Sequence, residues 1–423
     1  MLDLLVIGAG LSGMMAAHTA AKAGLRTRVI AKGLGSMHWG AGTVDLLGYL
    51  PGDETAVENP LASLDDLRAA HPYRQLGAEM LTTALDEFQR VVAALGLPYT
   101  GASTPGRNLL LPSPIGAARP AYLAPVAQLG GELRDDAPIL VVGFHGLRDF
   151  YPELIAENLT KLGHPARAAF LPLSLITERR DSNTVQLATF IEAEARGAKI
   201  GAVLKELARP GERIGLPAIL GVDEHAQTFA TIQEACGTTI FEIPTLPPSV
   251  PGIRLHTALR TALKQQGVRV EAGMEAIGFD AKAGRVRWVE TETSSRPLKH
   301  RAENYLLATG GVLGGGFNSD QTGRVWEVIF DLPLTVPQNR GDWFRPEFLD
   351  PTGQPVFNGG IAVDEHFQPV DGSHKPGFEN LWVAGGALAH ADPILERSLE
   401  GIALVTGMAA ANDIAVRAKQ ESM

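Results

Sequence analysis

The sequence predicts an α/β protein: a Rossmann-like FAD/NAD(P)-binding fold with an inserted second domain. Three observations predict it. The chain opens on an apolar run, LDLLVI, that leads into G-x-G-x-x-G spacing at Gly8, Gly10 and Gly13. Two later apolar runs each end in a glycine pair, YLLATGG at Tyr305–Gly311 and NLWVAGG at Asn380–Gly386. A long stretch between them has its own helical and strand patterns and lacks these signatures.

The first unit reads as a strand over Leu2–Ile7, a helix over about Leu11–Ala23 stopped by Gly24, and a strand over about Arg26–Ala31. In this context Gly8 permits the turn, Gly10 lets backbone approach a phosphate, and Gly13 lets helix and strand pack closely. Amide groups at the helix N-terminus, around Ser12, then face an anion. One part is missing. An acid is expected about 20 residues on to hold a ribose of NAD or FAD. No Asp or Glu occurs from Leu4 to Val44, and the strand end reads Arg28, Val29, Ile30, Ala31, Lys32. Arg28 and Lys32 leave NADP open, since a basic group can meet a 2′-phosphate.

The next stretch, SMHWGAGTVDLL, holds Ser36, His38, Gly40, Gly42 and Thr43. Such a small, glycine-rich loop can follow a pyrophosphate, a ribityl chain or an isoalloxazine edge; it can equally be a surface loop. In the middle region, LTTALDEFQRVVAALG is helical in pattern, and PILVVGF and PAIL read as strands. From about residue 241 the pattern of the first unit returns. IRLHTALRTALKQQG puts Leu255, Ala258, Leu259, Ala262 and Leu263 on one helix face and stops at Gly267. VRVEAG, GRVRWVETE and YLLATGG read as strands of a sheet, and NLWVAGG as a strand before a terminal helix, EGIALVTGMAAANDIAVRA. The division expected is a discontinuous flavin-binding domain, 1–54 plus 241–423, around a middle domain, 55–240. The N-terminal unit needs more parallel strands to bury both sheet faces, and the two glycine-pair strands can supply them.

Bulk properties bound the function. The 423 residues carry a formal charge of −10, which argues against nonspecific binding to nucleic acid or an anionic membrane. Cys236 is the only cysteine, so this chain makes no internal disulfide and no cysteine-ligated iron–sulfur cluster. With no continuous run of about 20 apolar residues and no basic n-region, a cytoplasmic setting is expected. Among charged residues, Arg254, Arg340 and Arg397 stand beside glycine turns or motif edges and could fix an anionic substrate or flavin phosphate; each could also be an ordinary salt bridge. His38, His145, His256 and His390 are similarly open between structural and catalytic roles. No metal-ligand spacing occurs.

Together these segments resemble the two-dinucleotide-binding-domain flavoproteins, the class of the fumarate reductase and succinate dehydrogenase flavoproteins. IPTLPPSVPGIRLHTAL (Ile243–Leu259) is similar to the signature of the B-type subunit of anaerobic glycerol-3-phosphate dehydrogenase. MHWGAGTVDLLGYLP, RGDWF (Arg340–Phe344) and GIAVDEHFQPVDG…ENLWVAGGALAHADPI resemble the same family, in the same order. The resemblance implies a flavin-dependent oxidoreductase subunit, FMN as cofactor with FAD as the alternative, and a partner flavoprotein, the A-type subunit of the same enzyme. It also implies an iron–sulfur subunit that ties the pair to the inner face of the membrane and passes electrons to quinones. FMN has no adenosine ribose, so the missing acid is not required. The two glycine-pair strand ends, with the G-x-G-x-x-G turn, suggest one ligand crossing the carboxyl edge of a single sheet, at Gly310, Gly311, Gly385 and Gly386; the family's pattern further implies contact by the Gly401–Ile402 backbone, although ERSLEGIA has one glycine where related flavoproteins often have several. Two other readings stand beside this one: an independent FAD-dependent dehydrogenase or reductase of a small acid or ketone, and an assembly subunit without a redox cofactor.

Overall fold

A computed structural model describes residues 2–421 except 180, 181, 194, 195, 295, 374 and 376. The strands of its two parallel sheets are β1 (Leu2–Ile7), β2 (Thr27–Ala31), β3 (Ile139–His145), β4 (Ala166–Pro172), β5 (Arg213–Pro217), β6 (Ile240–Ile243), β7 (Arg269–Ala272), β8 (Ala302–Leu307) and β9 (Leu381–Val383). The helices are α1 (Leu11–Lys22), α2 (Pro72–Ala93), α3 (Val126–Leu129), α4 (Pro152–Lys161), α5 (Thr184–Ala193), α6 (Gly197–Leu207), α7 (His225–Cys236), α8 (Val250–Gln265) and α9 (Leu399–Glu421). The chain forms two compact units: Met1–Ser36, Asp45–Val91 and Leu259–Met423 make one, and Met37–Val44 with Val92–Ala258 make the other. The chain thus crosses between units at 36/37, 44/45, 91/92 and 258/259, whereas the sequence division runs at 54/55 and 240/241.

The first unit is built on a five-stranded sheet in the order β7-β2-β1-β8-β9. All its pairings are parallel, with Leu5 opposite Tyr305 and Val6 opposite both Leu306 and Val29. β1 is central, and its Leu4, Leu5 and Val6 are fully buried, which explains the unbroken apolar run. Chain order reverses between β1 and β8, so the crevice at their carboxyl ends is the topological switch point. α1 packs on α9, and a Cβ on Gly407 would stand 2.4 Å from the Ser12 carbonyl oxygen, so only glycine permits this approach.

Three expectations change here. GRVRWVETE does not join the parallel sheet; Arg285–Thr291 pairs antiparallel with Ala276–Lys282 and Leu298–His300. The cause is local: Ala283 and Gly284 take φ of 51° and 74°, a tight hairpin turn between adjacent strands. PAIL contributes only Pro217 to a strand, because the sheet segment is the preceding RIGLP. Finally, among the described residues one helix, Leu399–Gln420, is long and apolar enough to cross a membrane by length and composition. Its Glu400, Asp413 and Arg417 break the continuous run in sequence, and 67% of the apolar window is buried in the fold.

The second unit carries a four-stranded parallel sheet ordered β6-β5-β3-β4. β3 is followed by α4 and β4 on one side, while β5, α7 and β6 extend the other, giving a second switch point between β3 and β5. Val141, Val142, Ile214, Leu216, Phe241 and Ile243 are buried in its core together with Leu187, Ile191, Ile200 and Leu204.

Candidate functional site: a glycine cradle and its neighbours

Three strand ends of the first unit meet at its switch point. Gly8 leaves β1 at φ 123°, and a Cβ there would strike the Ala308 carbonyl oxygen at 2.2 Å. Gly13 lies on α1, where a Cβ would stand 1.9 Å from the Gly8 oxygen. Gly10 differs: it is the N-cap of α1, and a Cβ built on it meets no atom of the protein within 4 Å. At the end of β8, a Cβ on Gly310 would meet Gly314, and one on Gly311 would meet the Gly386 oxygen at 2.3 Å. At the end of β9, Gly385 sits at φ 77° against Ser12, and its amide donates to Thr406 Oγ1 at 2.8 Å. Gly386 approaches the Gly311 amide.

Two hydroxyls in this cradle, Ser12 Oγ and Thr309 Oγ1, are buried without a hydrogen-bond partner. Ser12 itself is 5% exposed. Buried polar atoms normally find partners, so two orphans beside an uncrowded helix N-terminus suit a phosphate-bearing ligand. The helix has no acidic residue in its first turn.

The end of β2 is basic. Lys32 is exposed and pairs with Glu275 at 2.7 Å, and Arg28 lies 3.9 Å from Glu271 on β7. The carboxylates that are missing from β2 are present on and beyond the adjoining strand, engaged with these cations. The sequence reading missed three glycines here. Gly35 takes φ 73° and closes on Gly10, where a Cβ would lie 2.8 Å from the Gly10 Cα; Gly314 and Gly316 fold back on Gly310. GLG and GGG read as loop composition in sequence, and nothing in their spacing signals this closure.

In the second unit the loop 37–44 is fixed by side chains from several elements. Tyr99 OH donates to the Gly42 oxygen, Gln128 Nε2 on α3 to the Ala41 oxygen at 2.8 Å, and Arg119 Nη1 to Thr43 Oγ1 at 2.8 Å. Gly42 lies against Pro251, where a Cβ would be 2.4 Å from the proline Cβ. His38 is half-buried and its ring meets that of His256 edge-on, with centroids 5.5 Å apart. Ser36 and Gly40 are half-buried.

Several candidates are placed otherwise than expected. Arg254 does not offer its guanidinium to an anion. It forms a two-pronged pair with Glu242 at 2.6 and 2.9 Å, donates to the Gly221 oxygen at 2.7 Å, and approaches His225. Burial alone would raise the Glu242 pKa, but the charges of Arg254 and His225 and the bonds to Arg254 and the Leu220 amide hold it below the usual range. This buried pair fills the carboxyl edge of the second sheet. Arg340 is exposed, donates to the Gln321 oxygen at 3.2 Å and lies over Trp343. Arg397 is exposed at φ 49°, a conformation rare for a residue that carries a Cβ. The Gly401 amide donates to the Asp45 oxygen and the Ile402 amide to the Ser398 oxygen, so neither is directed at a flavin pyrimidine ring. A Cβ on Gly401 would strike Tyr73 OH at 2.3 Å, which is reason enough for glycine there. His145 is exposed and stacks on Phe170; His390 is half-buried at φ 72°, and burial lowers its pKa.

Residues 3–402 match the family described as FAD binding domain. The chain is 31% identical over 419 residues to the probable anaerobic glycerol-3-phosphate dehydrogenase B-type subunit of Halobacterium salinarum, covering 96% of each chain. It is 30% identical over 424 residues to the corresponding anaerobic glycerol-3-phosphate dehydrogenase subunit of Yersinia pestis, covering 97% of each. Among solved structures it is similar to 3-ketosteroid delta1-dehydrogenase from Sterolibacterium denitrificans, at 12% identity and a TM-score of 0.47, over 98% of this chain and 99% of that one.

Proposed function

The chain belongs to the FAD-binding-domain family and, within it, to the B-type subunits of anaerobic glycerol-3-phosphate dehydrogenase, and from that premise we propose how its cradle is used. It is a flavin-dependent oxidoreductase subunit of glycerol-3-phosphate dehydrogenase, one component of a complex of several chains. The reaction of the complex oxidises glycerol 3-phosphate to dihydroxyacetone phosphate. The observation that carries the flavin reading is the orphaned Ser12 hydroxyl beside the uncrowded Gly10 N-cap, at the switch point of the sheet.

When bound, a flavin supplies a two-electron acceptor that can also pass electrons on singly. The chain's own residues have the task of holding it. Gly8 and Gly13 hold the turn closed so that the backbone at Gly10 would meet its phosphate, with Ser12, Gly310, Gly311, Gly385 and Gly386 along the same crevice. FMN is the form favoured. Its terminal phosphate carries nearly two negative charges at neutral pH, which suits a helix N-terminus with no acidic residue in its first turn. FAD would need another acceptor for its adenosine ribose. Substrate oxidation is assigned to a partner flavoprotein of the A type, and this chain relays electrons toward quinone through an iron–sulfur subunit. The complex then works in the cytoplasm, against the inner membrane face through its partners.

Acid release of the bound small molecule tests the cofactor. A flavin spectrum is expected, with fluorescence unchanged by phosphodiesterase. A large rise in fluorescence identifies FAD and removes the FMN assignment; a colourless extract, with no uptake of added flavin, removes the flavin reading.

A further inference from the structure

One segment of the first unit is not explained by the cradle, although it is fastened there at both ends. Residues 317–359 leave the cradle at Gly316 and return to it at Gly360. At the outgoing end the Gly316 amide donates to the Gly311 oxygen at 3.1 Å, and the Val328 amide to the Gly316 oxygen at 3.1 Å. At the returning end the Ile361 amide donates to the oxygen of Ala387, directly after the Gly385–Gly386 pair, at 2.8 Å. A Cβ on Gly360 would lie 2.5 Å from the Leu388 carbonyl carbon. Between these ends the segment has a small core of its own, Val336, Trp343 and Val356. Its tip turns large apolar side chains outward: Phe348 is 90% exposed, Leu349 85% and Phe344 58%. The loop that carries them is well fixed. Gln354 is 8% exposed; it accepts from the Arg345 amide at 2.6 Å and donates to the Glu347 and Phe348 oxygens at 2.8 and 3.1 Å. Asp350 Oδ1 accepts from both the amide and the hydroxyl of Thr352. A partner that binds such a loop orders little that is not ordered already. Beside the tip loop is a groove of about 320 Å³, lined among others by Trp326, Leu332, Leu334 and Pro337. Trp343 Nε1 donates to the Pro337 oxygen at 2.8 Å, which ties the groove wall to the tip loop.

We propose that this segment, groove and tip together, is the face on which the partner flavoprotein of the complex docks. The proposal rests on the reading of this chain as a subunit that exchanges electrons with such a partner. Area supports it. The three exposed side chains together present on the order of 400 Å² of apolar surface, about half of the ~800 Å² that one partner gives to a stable interface. A patch of that size is as large as a soluble chain ordinarily leaves uncovered. Charge points to a protein rather than a lipid surface. The exposed charges from residue 324 to 349 are Arg324, Arg340 and Arg345 against Asp331, Asp342 and Glu347. Such a balanced rim has no net attraction to an anionic bilayer, whereas a polar rim around aromatic anchors is the anatomy of a protein interface. Position points to the electron-transfer partner rather than a second copy. Both ends of the segment are bonded to the glycines that line the cradle, so a chain seated on it is held in a fixed relation to the cradle's ligand.

The test uses the full chain with an A-type flavoprotein partner. Phe348→Asp combined with Leu349→Asp is compared with wild type and with Leu162→Asp, a substitution at another exposed apolar residue, at the end of α4 in the second unit. The tip side chains are almost wholly in solvent, so the double variant is expected to keep the wild-type melting temperature and flavin content. It is expected to bind the partner about 100-fold more weakly or not at all, with Leu162→Asp binding as wild type does. Wild-type affinity in the double variant, or an equal loss in Leu162→Asp, overturns the assignment. Hydrogen exchange locates the face without any substitution: amides of 340–350 are expected to exchange more slowly in the complex than in the chain alone, and unchanged exchange there overturns it. The isolated chain is also tested for self-association and for binding to phosphatidylglycerol vesicles. Either activity, lost in the double variant while the complex persists, gives the face to a second copy or to a lipid surface and overturns the partner assignment. A wild-type chain that forms no complex at all removes the partner reading itself, a failure distinct from a complex that forms through another face.

Discussion

Glycines that look alike in sequence have different tasks at the scale of single residues. Gly13 is required by the protein, because any side chain meets the Gly8 carbonyl. Gly10 is uncrowded by the protein, so a side chain there costs the fold little and a phosphate its approach. Gly13→Val is therefore expected to destabilise by about 1–3 kcal/mol or more. Gly10→Val is expected to leave the melting temperature within a few degrees of wild type and to lose the flavin. Bound flavin per folded chain, measured beside thermal melting, checks both; a fully loaded Gly10→Val protein would remove the phosphate from this position. A second residue-scale prediction concerns Asp392, which is 1% exposed and has no partner for Oδ2. Burial, and after it the charge of Glu396, raise its pKa against the pull of the Ile394 and Leu395 amides. The folded chain thus binds this proton more tightly than the unfolded one. The stability it contributes is complete below the ordinary carboxylate range and is lost as pH rises through the raised value. Asp392→Asn keeps the Oδ1 acceptor and removes the charge. At pH 7 it is expected to stabilise by about 1 kcal/mol, with the difference from wild type vanishing in acid; denaturant titrations at pH 4 and pH 7 read this directly.

At the scale of elements, the buried Arg254–Glu242 pair joins α8 to β6 in the second unit. Removing one charge strands the other, so Arg254→Met is expected to cost about 3–5 kcal/mol. Arg254→Met with Glu242→Leu is expected to recover most of that loss. Equal losses in the single and double variants, by chemical denaturation, would show that the charges are not the cause. This pair also shows why sequence reading stopped where it did. Arg254 beside a glycine turn has the pattern of an anion ligand, and its partner lies on a strand whose position depends on a sheet order that no local pattern encodes. β1, α1, β8 and β9 were legible because each is a buried apolar run with a glycine at its end. The antiparallel strand Arg285–Thr291 carries a similar alternation, and only the two positive-φ residues before it direct it to another sheet. Of the candidate contacts, the Gly8–Gly13 turn and the two glycine pairs do meet in one crevice. Gly35 and Gly314 were hidden in loop-like composition, and Gly401 has a packing reason that is visible only once Tyr73 is beside it.

At the scale of the whole molecule, the chain has one cysteine and a formal charge of −10. Its long apolar helix, Leu399–Gln420, is largely buried against its own core. On the relay reading proposed above, the flavin exchanges electrons through a protein surface, and stable interfaces of that kind bury on the order of 1,200–2,000 Å². Co-expression with an A-type flavoprotein partner is expected to yield a complex that survives size-exclusion chromatography; separate elution of the two chains would contradict a stable pairing. The most direct measurement is rapid mixing of glycerol 3-phosphate with the flavin-loaded chain, alone and in that complex, followed by flavin absorbance. The account predicts slow or no bleaching of the isolated chain and fast bleaching in the complex. Fast, complete bleaching of the isolated chain would put substrate oxidation here and contradict the relay, and no bleaching of this flavin in an active complex would remove it from the electron path.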